Sequence, residues 1–135
     1  DLRMSRGLGD VYKRQVHPSS QTEEEGARIM NDILKEEDPP TAIFCANDCT
    51  ALGVLRSLNK CRRKNYLPSV IAIDNIRKSA KTSPMLTTID IPKQELAHFA
   101  LLLLLDQQKK AHKECVRIEL PCRLIERESC TYAPC

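Results

Sequence analysis

The chain has 135 residues, a formal net charge of +3 and a hydrophobic fraction of 41%, with three Tyr, two Phe and no Trp. This length corresponds to about one domain, and the composition is typical of a globular chain rather than a disordered one. The small charge and the scarcity of aromatic rings argue against a nucleic-acid surface, and the longest apolar run, 99–105, is too short to cross a membrane.

Residues 1–15, DLRMSRGLGDVYKRQ, show neither strand nor helix periodicity. They contain no apolar core of a signal peptide, so the sequence predicts no secretory signal. The segment resembles translated sequencing-adapter sequence, and a disordered tail is the alternative. We therefore predict a non-native or disordered tail over 1–15 and a folded, partial domain over 16–135.

The first half of that domain alternates helices and strands. Thr22 and Glu25 have capping-box spacing ahead of an amphipathic helix that reaches Leu34. An apolar strand is predicted over 42–46, followed by a helix that Asn47 or Asp48 caps. The apolar stripe of this helix is Ala51, Leu52, Val54, Leu55 and Leu58.

A second strand is predicted over 69–73, and a polar connection with a short helical turn over 76–84. A third strand, 86–91, precedes a helix over 95–108 that is apolar almost all round and so requires two burial partners. Alternation over 115–120 and 123–128 predicts antiparallel or edge strands. The order indicates an α/β fold, a parallel sheet with helices on both faces.

Two polar pairs follow the first two strands, Asn47-Asp48 and Asp74-Asn75. Carboxyl ends of strands in open α/β sheets are where small ligands bind, and amides and carboxylates can hydrogen-bond vicinal hydroxyls. The alternative is that Asn47 and Asp48 only cap the helix and that Asp74 only closes a turn. Both roles are compatible if Asp48 caps the helix while Asn47 faces the ligand.

No other constellation predicts chemistry. Seven cysteines in an α/β pattern favour free thiols over a disulfide framework, and neither they nor the scattered histidines have zinc-ligand spacing. No catalytic motif is present, so the sequence predicts no enzyme, no metal and no cofactor. The basic cluster Arg56–Lys64 is typical of a solvated helix end.

The motifs AIFCAND, ALGVLRSL, the strand ending in Asp74-Asn75, Leu86-Thr87-Thr88-Ile89 and Arg127–Cys130 occur in this order. Together they resemble the effector-binding domain of the LacI/GalR family of transcriptional regulators, over about Glu23–Cys130. The resemblance implies a type I periplasmic-binding-protein-like fold, of which this chain is the C-terminal subdomain. It also implies that Asn47 and Asp74 contact a sugar or related effector, with Asp48 and Asn75 binding or capping. Ala72 and Ile73 replace the usual Gly and aromatic residue.

The resemblance further implies that the intact protein, rather than this fragment alone, is a homodimer, in which the helix at 51–58 and the connection at 76–83 lie at the subunit interface. The implied interface residues are Ala51, Leu55, Ile76, Ser79 and Thr82. Operator DNA would be read only by a helix-turn-helix outside this chain, in the cytoplasm. The alternative is a sugar-binding protein of a transport system, which shares the fold. Because one cleft wall is encoded, we expect the isolated chain to bind sugar weakly or not at all.

Overall fold

The computed structural model describes residues 16–61, 66–109 and 114–131. The predicted tail over 1–15 and most of the basic loop after Lys60 lie outside these residues. The helices are α1 (Glu23–Ile33), α2 (Asp48–Lys60) and α3 (Lys93–Gln108), with a 3₁₀ turn at Ser79–Lys81. The strands are β1 (Ala42–Phe44), β2 (Ser69–Ile73), β3 (Thr87–Asp90) and β4 (Arg123–Ile125).

The four strands form one sheet in the order β1-β2-β3-β4. The first three are parallel, and β4 runs antiparallel to β3 as an edge strand. The predicted strands at 42–46, 69–73, 86–91 and 123–128 are therefore confirmed, with shorter ends at three of them. The short helical turn predicted in the connection is the 3₁₀ turn.

Helix α1 begins where the capping box predicts. Thr22 Oγ1 accepts a hydrogen bond from the backbone N–H of Glu25 at 3.2 Å, which satisfies one free N–H of the first turn. The other half of the capping box, a bond from the Glu25 carboxylate back to the backbone N–H of Thr22, does not form. The carboxylate instead pairs with Arg28, whose Nε lies 2.7 Å from Oε1. This exposed ion pair lowers the pKa of Glu25.

Helices α1 and α2 pack against each other through two glycines. A Cβ built on Gly26 would lie 2.1 Å from Thr50 O, and one built on Gly53 would lie 1.9 Å from Glu23 O. Only glycine lets the two backbones approach this closely. The contact seats α1 beside α2 and carries Met30 and Ile33 into the core.

Among the described residues, helices α1 and α2 cover one face of the sheet, whereas side chains on the other face stay partly or largely exposed. Val70 and Ala72 on β2 are fully buried beneath α2. On the opposite face, the register places Phe44 beside Ile71 and Ile89 beside Leu124, and Phe44 and Leu124 are 63% and 53% exposed. The prediction of an α/β fold with a helix-flanked sheet is therefore confirmed, and among the described residues the helices bury one face of that sheet.

Helix α3 forms where the sequence predicts it, but none of its residues is buried. Residues 115–122, predicted to contain a strand over 115–120, form no ladder. A lone strand cannot satisfy its backbone groups or bury its apolar face. Both segments thus show apolar surface without a partner among the described residues, and the strand prediction at 115–120 is wrong for that reason.

The C-terminal segment closes the sheet at the amino ends of β2 and β3. Ser129 is buried, its Oγ donates to Val70 O at 2.6 Å, and it accepts from the N–H of Thr87 at 2.8 Å. The Glu128 carboxylate accepts from the N–H of Met85 at 2.9 Å. These bonds explain why a polar sequence, Arg127–Cys130, follows the last strand.

Candidate functional site

The carboxyl ends of β1, β2 and β3 share one edge of the sheet because these strands are parallel. Asn47-Asp48 follows β1, Asp74-Asn75 follows β2, and Asp90 ends β3. The structure thus places both polar dipeptides at the same edge of the sheet, and their role in ligand binding stays a prediction.

Asn47, rather than Asp48, caps α2. Its Oδ1 accepts a hydrogen bond from the N–H of Thr50 at 2.8 Å. Its Nδ2 donates to Gln21 O at 3.1 Å and lies 3.5 Å from Gln21 Oε1. The amide is thus held between the start of α2 and the segment before α1, and its longest bond is the one most easily exchanged for a ligand oxygen.

Asp48 is fully buried, and its carboxylate links the start of α2 to β3 and to the segment after β2. Its Oδ1 accepts from Thr88 Oγ1 at 2.6 Å, and its Oδ2 accepts from the N–H of Ile76 at 2.8 Å. A buried carboxylate requires such donors. Both oxygens are directed into the protein, so this conformation offers neither to a ligand.

The strand-end loop, Asp74–Ile76, leaves β2 with two left-handed residues. Asp74 has φ 122° and Asn75 has φ 49°. The Asn75 amide is used at both ends, since Nδ2 donates to Asp90 Oδ1 at 3.0 Å and Oδ1 accepts from Arg127 Nη2 at 2.7 Å. Asn75 therefore shapes the loop.

The Asp74 side chain differs from its three polar neighbours. Its backbone is held, because its N–H donates to Ile89 O at 2.9 Å and its carbonyl oxygen accepts from Lys93 Nζ. Its carboxylate is partly exposed and receives no hydrogen bond from the described part of the chain. An anchored backbone with an unpartnered carboxylate can accept hydroxyl or N–H donors from a ligand.

The six cysteines that the structure describes are free thiols. Burial, with a smaller contribution from the negative charge of Asp48, raises the pKa of the Cys45 thiol to about 12. In the described segments no three His, Cys, Asp or Glu side chains converge as a metal-ligand group. None of the described helices is long and apolar enough to span a bilayer.

The five residues implied at a dimer interface fall into two sets. Ala51, Leu55 and Ser79 are buried inside the chain, and Ile76 and Thr82 are partly exposed. Leu55 and Thr82 both line a groove of about 390 Å³ between α2 and the connection after β2. The dimer stays a prediction.

Three residues that support this edge were missed by sequence reasoning: Gln21, Lys93 and Arg127. Gln21 itself is left-handed, with φ 62°, and positions its carbonyl for Asn47. Lys93 follows Pro92 at the start of α3, and this basic residue so close to a strand end was the one local signal available.

The fold is α/β, with polar side chains gathered at the carboxyl edge of its parallel strands. A model of the periplasmic binding protein-like domain matches residues 3–130, a range that includes most of the predicted tail. The chain belongs to this family and is a fragment of a LacI-type effector-binding domain.

The relatives are transcriptional regulators. The HTH-type transcriptional repressor PurR of Photorhabdus laumondii is 38% identical over 112 residues, which are 82% of this chain and 33% of the repressor. A ribose-bound LacI family regulator from Enterococcus faecalis V583 is 33% identical with a TM-score of 0.74, over 86% of this chain and 43% of that one. The Lac repressor dimer bound to operator and the anti-inducer ONPF is 27% identical with a TM-score of 0.70, over 81% and 38%.

The chain thus spans about one third of the length of the curated relatives that it matches. Relatives and structural neighbours of this kind favour a regulator over a transport protein.

Proposed function

We propose that this chain is the effector-sensing part of a longer LacI-type transcriptional repressor that responds to a sugar or related small molecule. The observation that carries the proposal is the Asp74 carboxylate, unpartnered among the described residues and displayed at the carboxyl edge of a parallel sheet. A structural neighbour with bound ribose supports a sugar as the ligand class.

In this proposal Asp74 accepts hydrogen bonds from ligand hydroxyls. Asn47 contributes through Nδ2, whose 3.5 Å contact with Gln21 Oε1 gives way to a ligand oxygen. Asp48 and Asn75 hold the backbone beneath the ligand rather than touching it, because their polar atoms are already bonded within the chain.

The second wall of the binding cleft comes from the part of the protein outside this chain. The same part covers the apolar surface of α3, whose exposed side chains are Leu96, Leu101, Leu102, Leu104 and Leu105. Isolated apolar surface of this extent is typical of an interface. The isolated chain therefore binds the effector weakly or not at all, and a Kd near micromolar measured with it would contradict the proposal.

Ligand closure of the complete cleft would change the balance between two states of a homodimer. A ligand shifts such a balance only through its different affinity for the two states. The dimer carries paired DNA-binding heads to the operator in the cytoplasm, and the complete protein binds its effector without catalysing a reaction. In support, the relatives are named as repressors and one neighbour is a dimer on operator DNA.

The coding sequence on the 5′ side of the codon for residue 16 tests the regulator against the transport protein. A second α/β subdomain preceded by a helix-turn-helix is the expected result. A secretory signal in front of that subdomain would instead favour a transport protein. The same sequence shows whether residues 1–15 are genuinely encoded.

The ligand role of Asp74 is tested in the complete protein. Pentoses and hexoses, beginning with D-ribose, are screened by thermal shift, and the sugar with the largest shift is titrated calorimetrically. We expect Asp74→Asn to weaken binding by about 10- to 100-fold, the range for losing a charged hydrogen-bond acceptor. The matched control is Glu24→Gln at an exposed position of α1. Unchanged affinity in Asp74→Asn, or no shift with any sugar, would contradict the proposal.

A further inference from the structure

The strand-end loop has a backbone conformation that its own sequence does not favour. Positive φ is uncommon outside glycine, and although Asp and Asn tolerate the left-handed region near +60°, Asp74 lies well beyond it at 122°. Two such residues in succession persist only where neighbouring contacts fix them.

Three consecutive backbone N–H groups of the loop are bonded to two other elements. Asp74 donates to Ile89 O at 2.9 Å, Asn75 to Thr88 Oγ1 at 3.3 Å, and Ile76 to Asp48 Oδ2 at 2.8 Å. These bonds fix the path of the main chain against β3 and the start of α2. They leave the rotation of the Asn75 side chain to another partner.

Arg127 is that partner. Its Nη2 donates to Asn75 Oδ1 at 2.7 Å, while its Nη1 donates to Leu86 O at 2.7 Å and to Ser79 Oγ at 3.3 Å. A planar guanidinium holds several acceptors in a fixed geometry, which a lysine ammonium cannot reproduce. The side chain thus joins the strand-end loop, the 3₁₀ turn and the start of β3.

The two ends of the Asn75 amide make the arrangement directional. Because Arg127 can only donate, Oδ1 must face it, and Nδ2 must then face the Asp90 carboxylate, 3.0 Å away. The amide therefore has one orientation, and this side-chain anchor adds to the backbone bonds that hold Asn75 in its left-handed conformation. The direction of the neighbouring Asp74 side chain depends on that backbone.

We infer that Arg127 is a positioning residue for ligand binding, which holds the strand-end loop so that the Asp74 carboxylate faces the ligand side of the sheet edge. The ligand role of Asp74 itself rests on the proposed function. The positioning role of Arg127 is independent of ligand identity and can be measured without any ligand.

The test is backbone amide hydrogen exchange, residue by residue, in the 135-residue chain and its Arg127→Met and Arg127→Lys variants. The reporters are the amides of Asn75 and Ile76, with the amide of Ala72 in β2 as the internal reference. We expect Arg127→Met to accelerate exchange at both reporters at least tenfold relative to Ala72, and Arg127→Lys to restore only part of the protection. The matched control is Arg117→Met, since the Arg117 side chain is 84% exposed, and it should change nothing at the loop.

A second variant separates positioning from general stability. Asn75→Gly keeps the left-handed backbone accessible but removes the amide that Arg127 binds. We expect loop exchange in the double variant Arg127→Met/Asn75→Gly to be no faster than in the faster single variant, because both changes break the same bond. If loop exchange in the double variant were instead accelerated by the product of the two single-variant factors, the inference would be overturned.

Two further outcomes would overturn it: unchanged loop exchange in Arg127→Met, or acceleration by one common factor at the loop and at Ala72, which indicates a purely structural role. Failure of the proposed function gives a different result. In that case the loop loosens as expected in the Arg127 variants, while Asp74→Asn leaves sugar binding by the complete protein unchanged.

Discussion

Two parts of this chain differ in where their packing partners lie: the packed part, which is α1, α2 and the face of the sheet they cover, and helix α3. Helices α1 and α2 and the covered face of the sheet find theirs within 135 residues, and Met30, Val70, Ala72 and Leu86 are fully buried. Helix α3 is more apolar in sequence than α1 or α2, yet it buries none of its residues. Burial therefore depends on a partner surface as well as on hydrophobicity, and an exposed apolar helix indicates a surface built for the rest of a larger protein.

The largest difference in the free energy of unfolding should come from making the same substitution, Leu→Ala, in the packed part and in α3. Leu86→Ala removes a fully buried side chain and should lower the free energy of unfolding by about 3 kcal/mol. Leu101→Ala removes a side chain that is 55% exposed and should change it by less than about 0.5 kcal/mol. Urea denaturation of the isolated chain measures both. Equal costs would mean that α3 is packed in the isolated chain.

Adding a single methyl group to a glycine tests the close contact between α1 and α2 in the packed part. In an exposed helix, Gly→Ala stabilises by about 1 kcal/mol. Gly53→Ala should instead destabilise by about 2 kcal/mol or more, because its Cβ would lie 1.9 Å from Glu23 O in α1. The control is Asn31→Ala at an exposed position of α1, which should be neutral or slightly stabilising. A stabilised Gly53→Ala variant would show that the two helices do not pack this closely.

The buried carboxylate beneath the sheet edge should have a smaller effect. Asp48→Asn keeps the shape but gives only one acceptor oxygen to two donors, the N–H of Ile76 and the hydroxyl of Thr88. We expect a loss of about 1 kcal/mol in the free energy of unfolding, the cost of one hydrogen bond. Exchange at the Ile76 amide in the same variant shows whether the loop is released. Wild-type stability would indicate that Asp48 is not tied in this way.

The smallest effect concerns pH. The pKa of Cys45 is about 12 in the folded chain against an ordinary value of 9.0. As the pH rises, the unfolded chain therefore loses this proton before the folded chain does. The contribution of the Cys45 thiol to the free energy of unfolding is complete below pH 9 and is lost as the pH rises towards 12. Between pH 7 and pH 9 the wild type should lose about 0.4 kcal/mol more than Cys45→Ala. If the free energy of unfolding fell equally with pH in the wild type and in Cys45→Ala, the raised pKa of Cys45 would be contradicted.

Local sequence signals predicted the elements whose partners are close in the chain. The strands at 42–46 and 69–73 and the helix between them follow from apolar runs and a polar cap. The alternation at 115–120 indicated which side chains share a face but carried no information on whether a neighbouring strand exists. Hydrophobicity likewise predicted α3 but not that its partner would be absent from the described residues.

The site shows the same limit. The position of Asp74 at a strand end is a local property, and the sequence predicted it. Whether Asn47 or Asp48 caps α2 depends on which side chain turns inward, and the sequence left that open. Arg127 lies 52 residues from Asn75 along the chain, so no periodicity or spacing could connect them.

The most direct test of the account compares hydrogen exchange in α3 between the isolated 135-residue chain and the complete protein. We predict that the amides of Leu101–Leu105 become at least a hundredfold more protected in the complete protein, while those of α2 are protected to a similar degree in both. Equal protection of α3 in the two proteins would contradict the claim that this chain is one part of a larger ligand-binding domain.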